Sequence, residues 1–240
     1  MLNLASEQVV GVEALLRWAH PTRGVIEPDG FIPIAEASGM IAPIGRWALG
    51  QVCAQGAAWR AKGFAIGVSV NITARQFERP EFLDEVRAAL EHSGLEPAWL
   101  TLEITEATMV RRPANTGRLL AQLRELGVSI AVDDFGTGYS SLGYLRQFPI
   151  DAVKIDRSFV SGLTSSGDAQ ALAHTLIQLG KTLGIKTLAE GVEEDGQLHK
   201  LRAEGCDLAQ GFLFAHPLSP EELERFLEAR HGSPQPAARA

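Results

Sequence analysis

The sequence lacks most features of secreted, zinc-binding or membrane-spanning proteins. Its 240 residues include two cysteines, Cys53 and Cys206, which are far apart and form no CxxC pair. We therefore expect neither a disulfide scaffold nor a structural zinc site, and we expect both thiols to be buried and reduced. No apolar run reaches about 18 residues, and the N-terminus has no signal pattern. These absences predict a cytoplasmic domain without membrane contact, although a membrane anchor could lie elsewhere in a longer protein.

Basic residues and histidine clusters are also scarce. The chain has 22 Lys and Arg against 29 Asp and Glu, a net charge of −7, and no basic run. This composition argues against a protein that binds DNA or RNA polymers through broad electrostatics. The six histidines are scattered, so we expect surface or loop roles for them. We expect the four tryptophans to pack in the core rather than to stack on bases. They are Trp18, Trp47, Trp59 and Trp99.

Residues 130–142, IAVDDFGTGYSSL, carry the clearest sign of a functional site. An apolar run meets two adjacent carboxylates, Asp133 and Asp134. These cannot lie unpaired in the core, because burying an unpaired charge costs several kcal/mol. A turn with a helix N-cap at Ser140 explains the glycines and serines but not both aspartates. A hard cation explains them better, since Mg²⁺ and Ca²⁺ prefer oxygen ligands. This stretch alone leaves both interpretations open.

Strand and helix patterns alternate along the chain, which predicts a parallel sheet that is either open or closed into a (β/α) barrel. Polar residues follow successive predicted strands, and in a barrel they would share the rim where barrel active sites lie. Their number favours closure. They are Asn71, Glu103, Asp133, Asp134, Lys154, Glu190 and Gln210. With no internal repeat or linker, we predict one domain over residues 1–230 and a flexible tail over residues 231–240.

Such a rim has the residues for metal-assisted chemistry. Oxygen ligands without a cysteine or histidine cluster indicate Mg²⁺, Mn²⁺ or Ca²⁺ rather than zinc. Asp133 and Asp134 could hold two ions about 3.5–4 Å apart, as in two-metal phosphodiester hydrolysis. Lys154 could hold a water, a spare carboxylate could take its proton, and Arg17 could grip a phosphate oxygen. The pattern predicts metal-dependent hydrolysis of a phosphate ester and leaves other metal-assisted chemistries, such as enolisation of a sugar phosphate, open.

Seven motifs, in order from about Val9 to Pro217, resemble the EAL domain, a family of cyclic di-GMP phosphodiesterases in bacterial signalling. The resemblance implies an α/β fold, a modified TIM (β/α) barrel with one antiparallel strand near the N-terminus. The motifs are EALLRW from Glu13, VNIT around Asn71, LEITE at 102–106, DDFGTGYSSL at 133–142, VKID at 153–156, AEGVE at 189–193 and QGFLF at 210–214.

The resemblance also implies a role for each matching residue. Lys154 would position the attacking water and Glu190 would be the general base. Glu106 would brace the DDFGTGYSS loop, and Glu193 would support the site. The implied metal ligands are Glu13, Asn71, Glu103 and Asp133, with Asp134 serving a second ion. The implied nucleotide contacts are Leu15, Arg17, Asp156, Gln210 and Pro217.

By the same resemblance, the reaction is hydrolysis of one phosphodiester bond of cyclic di-GMP, giving linear pGpG. The implied cofactor is Mg²⁺ or Mn²⁺, as two ions, with Ca²⁺ inhibitory. A homodimer and further regulatory domains in the full-length protein are also implied. None of the family's site residues is missing, which favours an enzyme. The alternative is a catalytically silent module that binds cyclic di-GMP and signals through a partner.

The sequence departs from the family pattern in three places. Thr73 replaces a common serine, and Phe212 replaces a common tyrosine; both changes are mild. Family members usually have a further helix and strand ahead of Gly11, whereas few residues precede Val9 here. We therefore expect that the usual first strand is absent, which would expose a β edge. The chain would then be a trimmed piece, or its fold would be completed in another way.

Overall fold

The computed structural model describes residues 1–136 and 142–231. Its strands are β1 (Leu2–Asn3), β2 (Gly11–Ala14), β3 (Trp18–His20), β4 (Gly24–Ile26), β5 (Gly67–Asn71), β6 (Leu100–Thr105), β7 (Ser129–Phe135), β8 (Ala152–Ile155), β9 (Lys186–Ala189) and β10 (Leu208–Ala209). Its helices are α1 (Ile32–Ser38), α2 (Ile41–Ala61), α3 (Ala74–Phe77), α4 (Phe82–Ser93), α5 (Glu106–Arg111), α6 (Pro113–Leu126), α7 (Leu142–Gln147), α8 (Arg157–Ser161), α9 (Gly167–Leu183), α10 (Asp195–Glu204) and α11 (Pro220–His231). Short 3₁₀ helices span Pro28–Gly30 and Pro97–Trp99.

Eight strands form one sheet in the order β1-β10-β9-β8-β7-β6-β5-β2. Strand β1 pairs with β10 antiparallel, and the other pairs of this sheet are parallel. Strands β3 and β4 form a separate antiparallel hairpin. The predicted barrel-like α/β fold with one antiparallel strand near the N-terminus is confirmed.

The expectation that the first strand is absent is wrong. Leu2 and Asn3 pair with Ala209 and Leu208 of β10. On its other side the same segment meets the approach to β2, because the Asn3 amide donates to the Gln8 carbonyl at 2.9 Å and the Val10 amide donates to the Met1 carbonyl at 3.1 Å. Residues 1–4 therefore bridge the two ends of the sheet and nearly close the barrel. Short strands suffice here because Leu2 and Leu4 are also buried.

The core explains how charged residues come to point into the barrel. In β6 and β7, Leu102, Ile104, Ile130 and Val132 are at most 1% exposed and belong to the main hydrophobic cluster. Side chains alternate between the two faces of a strand. Glu103 therefore points away from Leu102 and Ile104, toward the barrel interior. A parallel sheet covered by helices is apolar on both faces, so a charge on such a strand requires a partner inside.

Two of the four tryptophans depart from the prediction that all lie in the core. Trp59 is buried and Trp99 packs against the main cluster, but Trp18 and Trp47 are exposed. Trp18 begins the β3–β4 hairpin and contacts the Phe31 ring edge to face, with the ring centroids 5.9 Å apart. The sequence pattern could not separate these cases, because it shows that a helix or strand is amphipathic but not which neighbours cover it.

The C-terminal helix α11 packs against α2. Leu223 and Leu227 are buried, and Glu224 accepts hydrogen bonds from the Trp59 indole at 3.1 Å and from Lys62. Helix α11 includes His231, the first residue of the predicted tail, and residues 232–240 lie outside the described part, so the tail stays a prediction. Among the described residues, no helix combines the length and apolarity that crossing a bilayer requires.

Candidate active site

Lys154 lies at the centre of the candidate site, inside the barrel and 1% exposed. Its position on β8 between Val153 and Ile155 points the side chain inward, while its two neighbours pack outward. The ammonium contacts four carboxylates that come from four other parts of the chain. The distances are 2.5 Å to Glu103, 2.9 Å to Glu190, 3.1 Å to Asp133 and 3.4 Å to Glu13.

Two side-chain amides complete this cluster. Asn71, at the end of β5, donates to Glu13 Oε1 at 2.6 Å. Gln210, directly after β10, donates from one nitrogen to Glu13 Oε2 and to Glu190 Oε1, at 2.8 Å each. The amides therefore join the ends of β2, β5, β9 and β10. Parallel strands carry all these residues to one rim, as the sequence pattern predicted.

Asp133 and Asp134 occupy an irregular end of β7. The register with β8 shifts between Val132 and Phe135, and Asp134 has a positive φ of 54°. The Asp134 amide donates to Asp133 Oδ1 at 2.9 Å. In a regular strand, adjacent side chains would point to opposite faces, and a bulge can redirect one of them. The pKa of Asp134 is raised by burial and by the charges of Asp133 and Asp156, so the three carboxylates share one neighbourhood.

The cluster carries more negative than positive charge. Burial raises the pKa of Glu190 to about 8; Lys154 opposes this rise, and Asp133 and Glu13 add to it. Burial likewise raises the pKa of Glu103 to about 7. The charge of Lys154 opposes this rise, and the charge of Glu13 adds to it. Burial alone would lower the pKa of Lys154, but the four carboxylates raise it well above its usual range, so the ammonium stays charged.

Two polar atoms at the bottom of the site, Glu103 Oε1 and the Ser69 hydroxyl, are buried and form no well-aligned hydrogen bond among the described residues. The two side chains lie close to each other, and the Ser69 hydroxyl lowers the pKa of Glu103. A buried carboxylate oxygen of this kind is available to a cation. The described residues contain no ready-made group of three or more Asp, Glu, His or Cys side chains able to hold a metal ion. In this arrangement the Lys154 ammonium contacts the carboxylate oxygens that would coordinate a metal ion.

The rim opens into a cavity of about 990 Å³. Glu13 and Glu190 line this cavity, and so do all five residues predicted to contact a nucleotide: Leu15, Arg17, Asp156, Gln210 and Pro217. Leu15 is 45% exposed. Asp156 also caps α8, where it accepts a hydrogen bond from the Ser158 amide at 3.0 Å. Arg17 is exposed, lies 4.0 Å from Glu27, and donates a hydrogen bond to the Leu16 carbonyl at 2.9 Å.

Glu106 and Glu193 occupy different surroundings. Glu106 is buried at the start of α5 and accepts a hydrogen bond at 3.4 Å from the amide of Gly136, the residue that directly follows β7. Glu193 is exposed and lines the cavity. Residues 137–141, which include the predicted N-cap Ser140 and the part of the glycine loop after Gly136, lie outside the described residues.

Comparison with known proteins identifies the family. The model of the EAL domain matches residues 1–217. The chain belongs to the EAL family. It is 44% identical to the cyclic di-GMP phosphodiesterase NbdA of Pseudomonas aeruginosa over 241 aligned positions, which cover 100% of this chain and 31% of NbdA. It is also 44% identical to MucR of Pseudomonas aeruginosa, a bifunctional diguanylate cyclase/cyclic di-GMP phosphodiesterase, over 90% of this chain and 32% of MucR. The chain thus spans about a third of the length of these curated relatives.

The EAL fold is also found among solved structures. A structure of the PaMucR phosphodiesterase in complex with c-di-GMP superposes with a TM-score of 0.90 at 43% identity, covering 92% of this chain and 90% of that one. Motif order in the sequence therefore led to the correct family and fold.

Sequence reasoning missed two features of this EAL site. The Ser69 hydroxyl is buried on β5, the strand that also carries Asn71, and an isolated serine in the run GVSVN gives no signal of this. Phe212 counted only as a mild departure from the family pattern, yet this residue is 54% exposed and lines the cavity. The exposure of Phe212 could be recognised only after the structure showed that the next two residues, Leu213 and Phe214, pack against a buried cluster and that Phe212 does not.

Proposed function

We propose that this EAL domain hydrolyses cyclic di-GMP to linear pGpG. The observation that carries the proposal is the convergence of Glu13, Glu103, Asp133 and Glu190 on Lys154 beneath a cavity of about 990 Å³. A cavity of that size is at the upper end of small-molecule sites. The names of NbdA and of MucR, whose structure holds c-di-GMP, support the choice of substrate.

The residues of the site fit divalent cations. Four carboxylates surround one ammonium, and Glu103 Oε1 is buried and forms no well-aligned hydrogen bond among the described residues. We propose two Mg²⁺ or Mn²⁺ ions, with Ca²⁺ inhibitory. When bound, such ions stabilise charge on phosphoryl oxygens and lower the pKa of water. The proposed ligands are Glu13, Asn71, Glu103 and Asp133, with Asp134 for the second ion. Because Lys154 contacts three of these ligands, a cation must compete with its ammonium.

The remaining residues would bind the nucleotide and move protons. Lys154 would hold the attacking water. Glu190, which lies 2.9 Å from Lys154, would accept a proton from that water. The water oxygen bonds to phosphorus, the bond from phosphorus to one ribose 3′ oxygen breaks, and that oxygen is protonated from solvent. Glu106 would hold the loop after β7, and Glu193 would support the site. Nucleotide contacts would come from Leu15, Arg17, Asp156, Gln210 and Pro217.

The decisive experiment is chromatography of cyclic di-GMP incubated with the protein and Mg²⁺. We expect pGpG from the parent protein, little from Glu190→Gln, and parental turnover from Glu91→Gln, a matched change at an exposed position of α4. EDTA should stop the reaction. Tight nucleotide binding without turnover by the parent would instead support the silent binding module.

Three further expectations rest mainly on the family resemblance. We propose a homodimer, which size-exclusion chromatography with light scattering would test. We propose that regulatory domains accompany this domain in the full-length protein, and relatives about three times as long are consistent with that. We also propose a cytoplasmic location for the domain.

A further inference from the structure

Ser69 has a buried hydroxyl that the proposed reaction does not use. The residue lies in the middle of β5, between Val68 and Val70, and is 2% exposed. Its hydroxyl forms no well-aligned hydrogen bond among the described residues. A hydroxyl buried without a partner costs about 1–3 kcal/mol, which an alanine at the same position would avoid. The hydroxyl therefore calls for a partner at the site.

The register of the sheet places Ser69 among proposed metal ligands. Ser69 pairs with Glu13 of β2, and Asn71 pairs with Glu103 of β6. Residues two apart on a strand share a face, so Ser69 points into the barrel on the same side as Asn71, which donates to Glu13 there. Burial raises the pKa of Glu103, and the Ser69 hydroxyl is one of the groups that lower it. The hydroxyl therefore lies next to the Glu103 carboxylate.

The two oxygens of the Glu103 carboxylate have different surroundings. Oε2 accepts a hydrogen bond from the Lys154 ammonium at 2.5 Å, whereas Oε1 is buried and forms no well-aligned hydrogen bond among the described residues. A cation that binds Glu103 must compete with this ammonium. When the ammonium moves away, the Ser69 hydroxyl remains beside the carboxylate as a donor. Carboxylates that bind metals are commonly oriented by such a second hydrogen bond.

We infer that Ser69 is a positioning residue, whose hydroxyl donates to Glu103 and holds this carboxylate in the orientation that binds a divalent cation. This inference rests on the proposed function and deepens it, because Glu103 is a proposed metal ligand. Ser69 itself would not contact the ion. A carboxylate has about four lone-pair sites, so the hydroxyl and a cation can share it.

The test is calorimetric titration of the protein with Mn²⁺ alone, without nucleotide. Ser69→Thr keeps a hydroxyl, and Ser69→Val replaces that hydroxyl by a methyl group of similar size, so the pair isolates the hydrogen bond. Ser69→Val and Ser69→Ala should weaken Mn²⁺ binding by about 10-fold or more, as expected when a group that orients a metal ligand is lost. Ser69→Thr should bind Mn²⁺ within about threefold of the parent, because the donor is retained.

Thr187→Val is the matched control for the loss of a buried hydroxyl. Thr187 is buried on β9, where it packs against Gly180 of α9 and donates to Asp207 at 3.0 Å. Its replacement should lower the free energy of unfolding by about 1 kcal/mol and leave Mn²⁺ affinity unchanged.

Three outcomes would refute the positioning role: parental Mn²⁺ affinity in Ser69→Val, equal losses in Ser69→Val and Ser69→Thr, or the same loss in Thr187→Val. Hydrolysis of cyclic di-GMP by the parent with Mg²⁺ would then leave the proposed function standing. The expected Mn²⁺ affinities in a parent that does not hydrolyse cyclic di-GMP would support the role of Ser69 and refute the hydrolase. If the parent neither binds Mn²⁺ nor hydrolyses cyclic di-GMP, both proposals fail.

Discussion

The side-chain amide of Gln210 donates a hydrogen bond to Oε1 of Glu190 at 2.8 Å. The same nitrogen donates to Glu13 Oε2, so a single amide connects the proposed base to a proposed metal ligand. Glu190 also contacts Lys154, which leaves its carboxylate held from two directions. Gln210 therefore lies where it could orient Glu190 as well as contact a nucleotide.

Replacing Gln210 by leucine should separate these two roles. If Gln210 orients Glu190, kcat for cyclic di-GMP should fall about 10-fold or more, with a smaller change in KM, because only the transition state requires an oriented base. The pH dependence of kcat should shift as well, since Glu190 loses a hydrogen-bond donor. If Gln210 serves only to bind the nucleotide, KM should rise and the pH profile should stay unchanged.

Replacing Lys154 by methionine should cost both activity and stability. The change leaves four carboxylates around an apolar side chain, and breaking a buried charge network typically costs about 3–5 kcal/mol. Turnover of cyclic di-GMP should fall by about 100-fold or more. Urea unfolding in EDTA measures the stability, and Mg²⁺ should restore part of the loss by supplying positive charge.

Lys186→Met is the matched control for Lys154→Met. Lys186 begins β9 and is exposed, so both stability and turnover should stay close to those of the parent. Equal losses in the two variants would contradict the assignment of Lys154 to the site.

The rim could be predicted from local sequence because a charged residue within an apolar strand indicates a partner inside the fold. Glu103 and Lys154 each interrupt a run that is buried on both faces, so each required a partner. That reasoning could not show that Lys154 contacts four carboxylates at once, because those contacts depend on how the barrel brings distant strands together. Nor could it detect β1, since a two-residue strand has too few side chains to show a period of two.

The positive φ of Asp134 and the exposure of Phe212 could not be predicted from the sequence, for a different reason. A bulge arises from register against the neighbouring strand, and β8 is separated from β7 by a helix and loops. The exposure of Phe212 depends on the close contact between Gly211 and Val192, which lie 19 residues apart in sequence. Both features are tertiary, and both lie at the candidate site, where departures from local rules concentrate.

Alanine substitutions at Gly211 and Gly50 should have opposite effects. At Gly211 a Cβ would lie 2.2 Å from the Val192 carbonyl oxygen, so the turn must shift and stability should fall by about 1–3 kcal/mol. At Gly50, inside α2, a Cβ meets nothing within 4 Å. Alanine there should stabilise by about 0.5–1 kcal/mol, because it loses less backbone entropy on folding. Urea unfolding midpoints test both, and a neutral Gly211→Ala would contradict the close contact between Gly211 and Val192.

Metal binding should stabilise the protein more as the pH rises from 5 to 8. In the metal-free protein the pKa values of Glu103 and Glu190 are raised from 4.5 to about 7 and about 8. Their contribution to stability is therefore full below pH 4.5 and is lost as the pH rises through these values, since the unfolded chain ionises first. A divalent cation reverses this trend because it favours the ionised carboxylates.

Thermal unfolding with EDTA and with Mg²⁺ at several pH values measures this coupling. The gain in melting temperature from Mg²⁺ should be roughly 3–5 °C larger at pH 8 than at pH 5. Glu190→Gln should flatten the fall in metal-free stability over this pH range, because it removes one titrating group, whereas Glu91→Gln should leave it unchanged. A gain from Mg²⁺ that is the same at every pH would mean that the ion binds away from these carboxylates, since any cation that displaces their protons must bind more tightly as the protons leave.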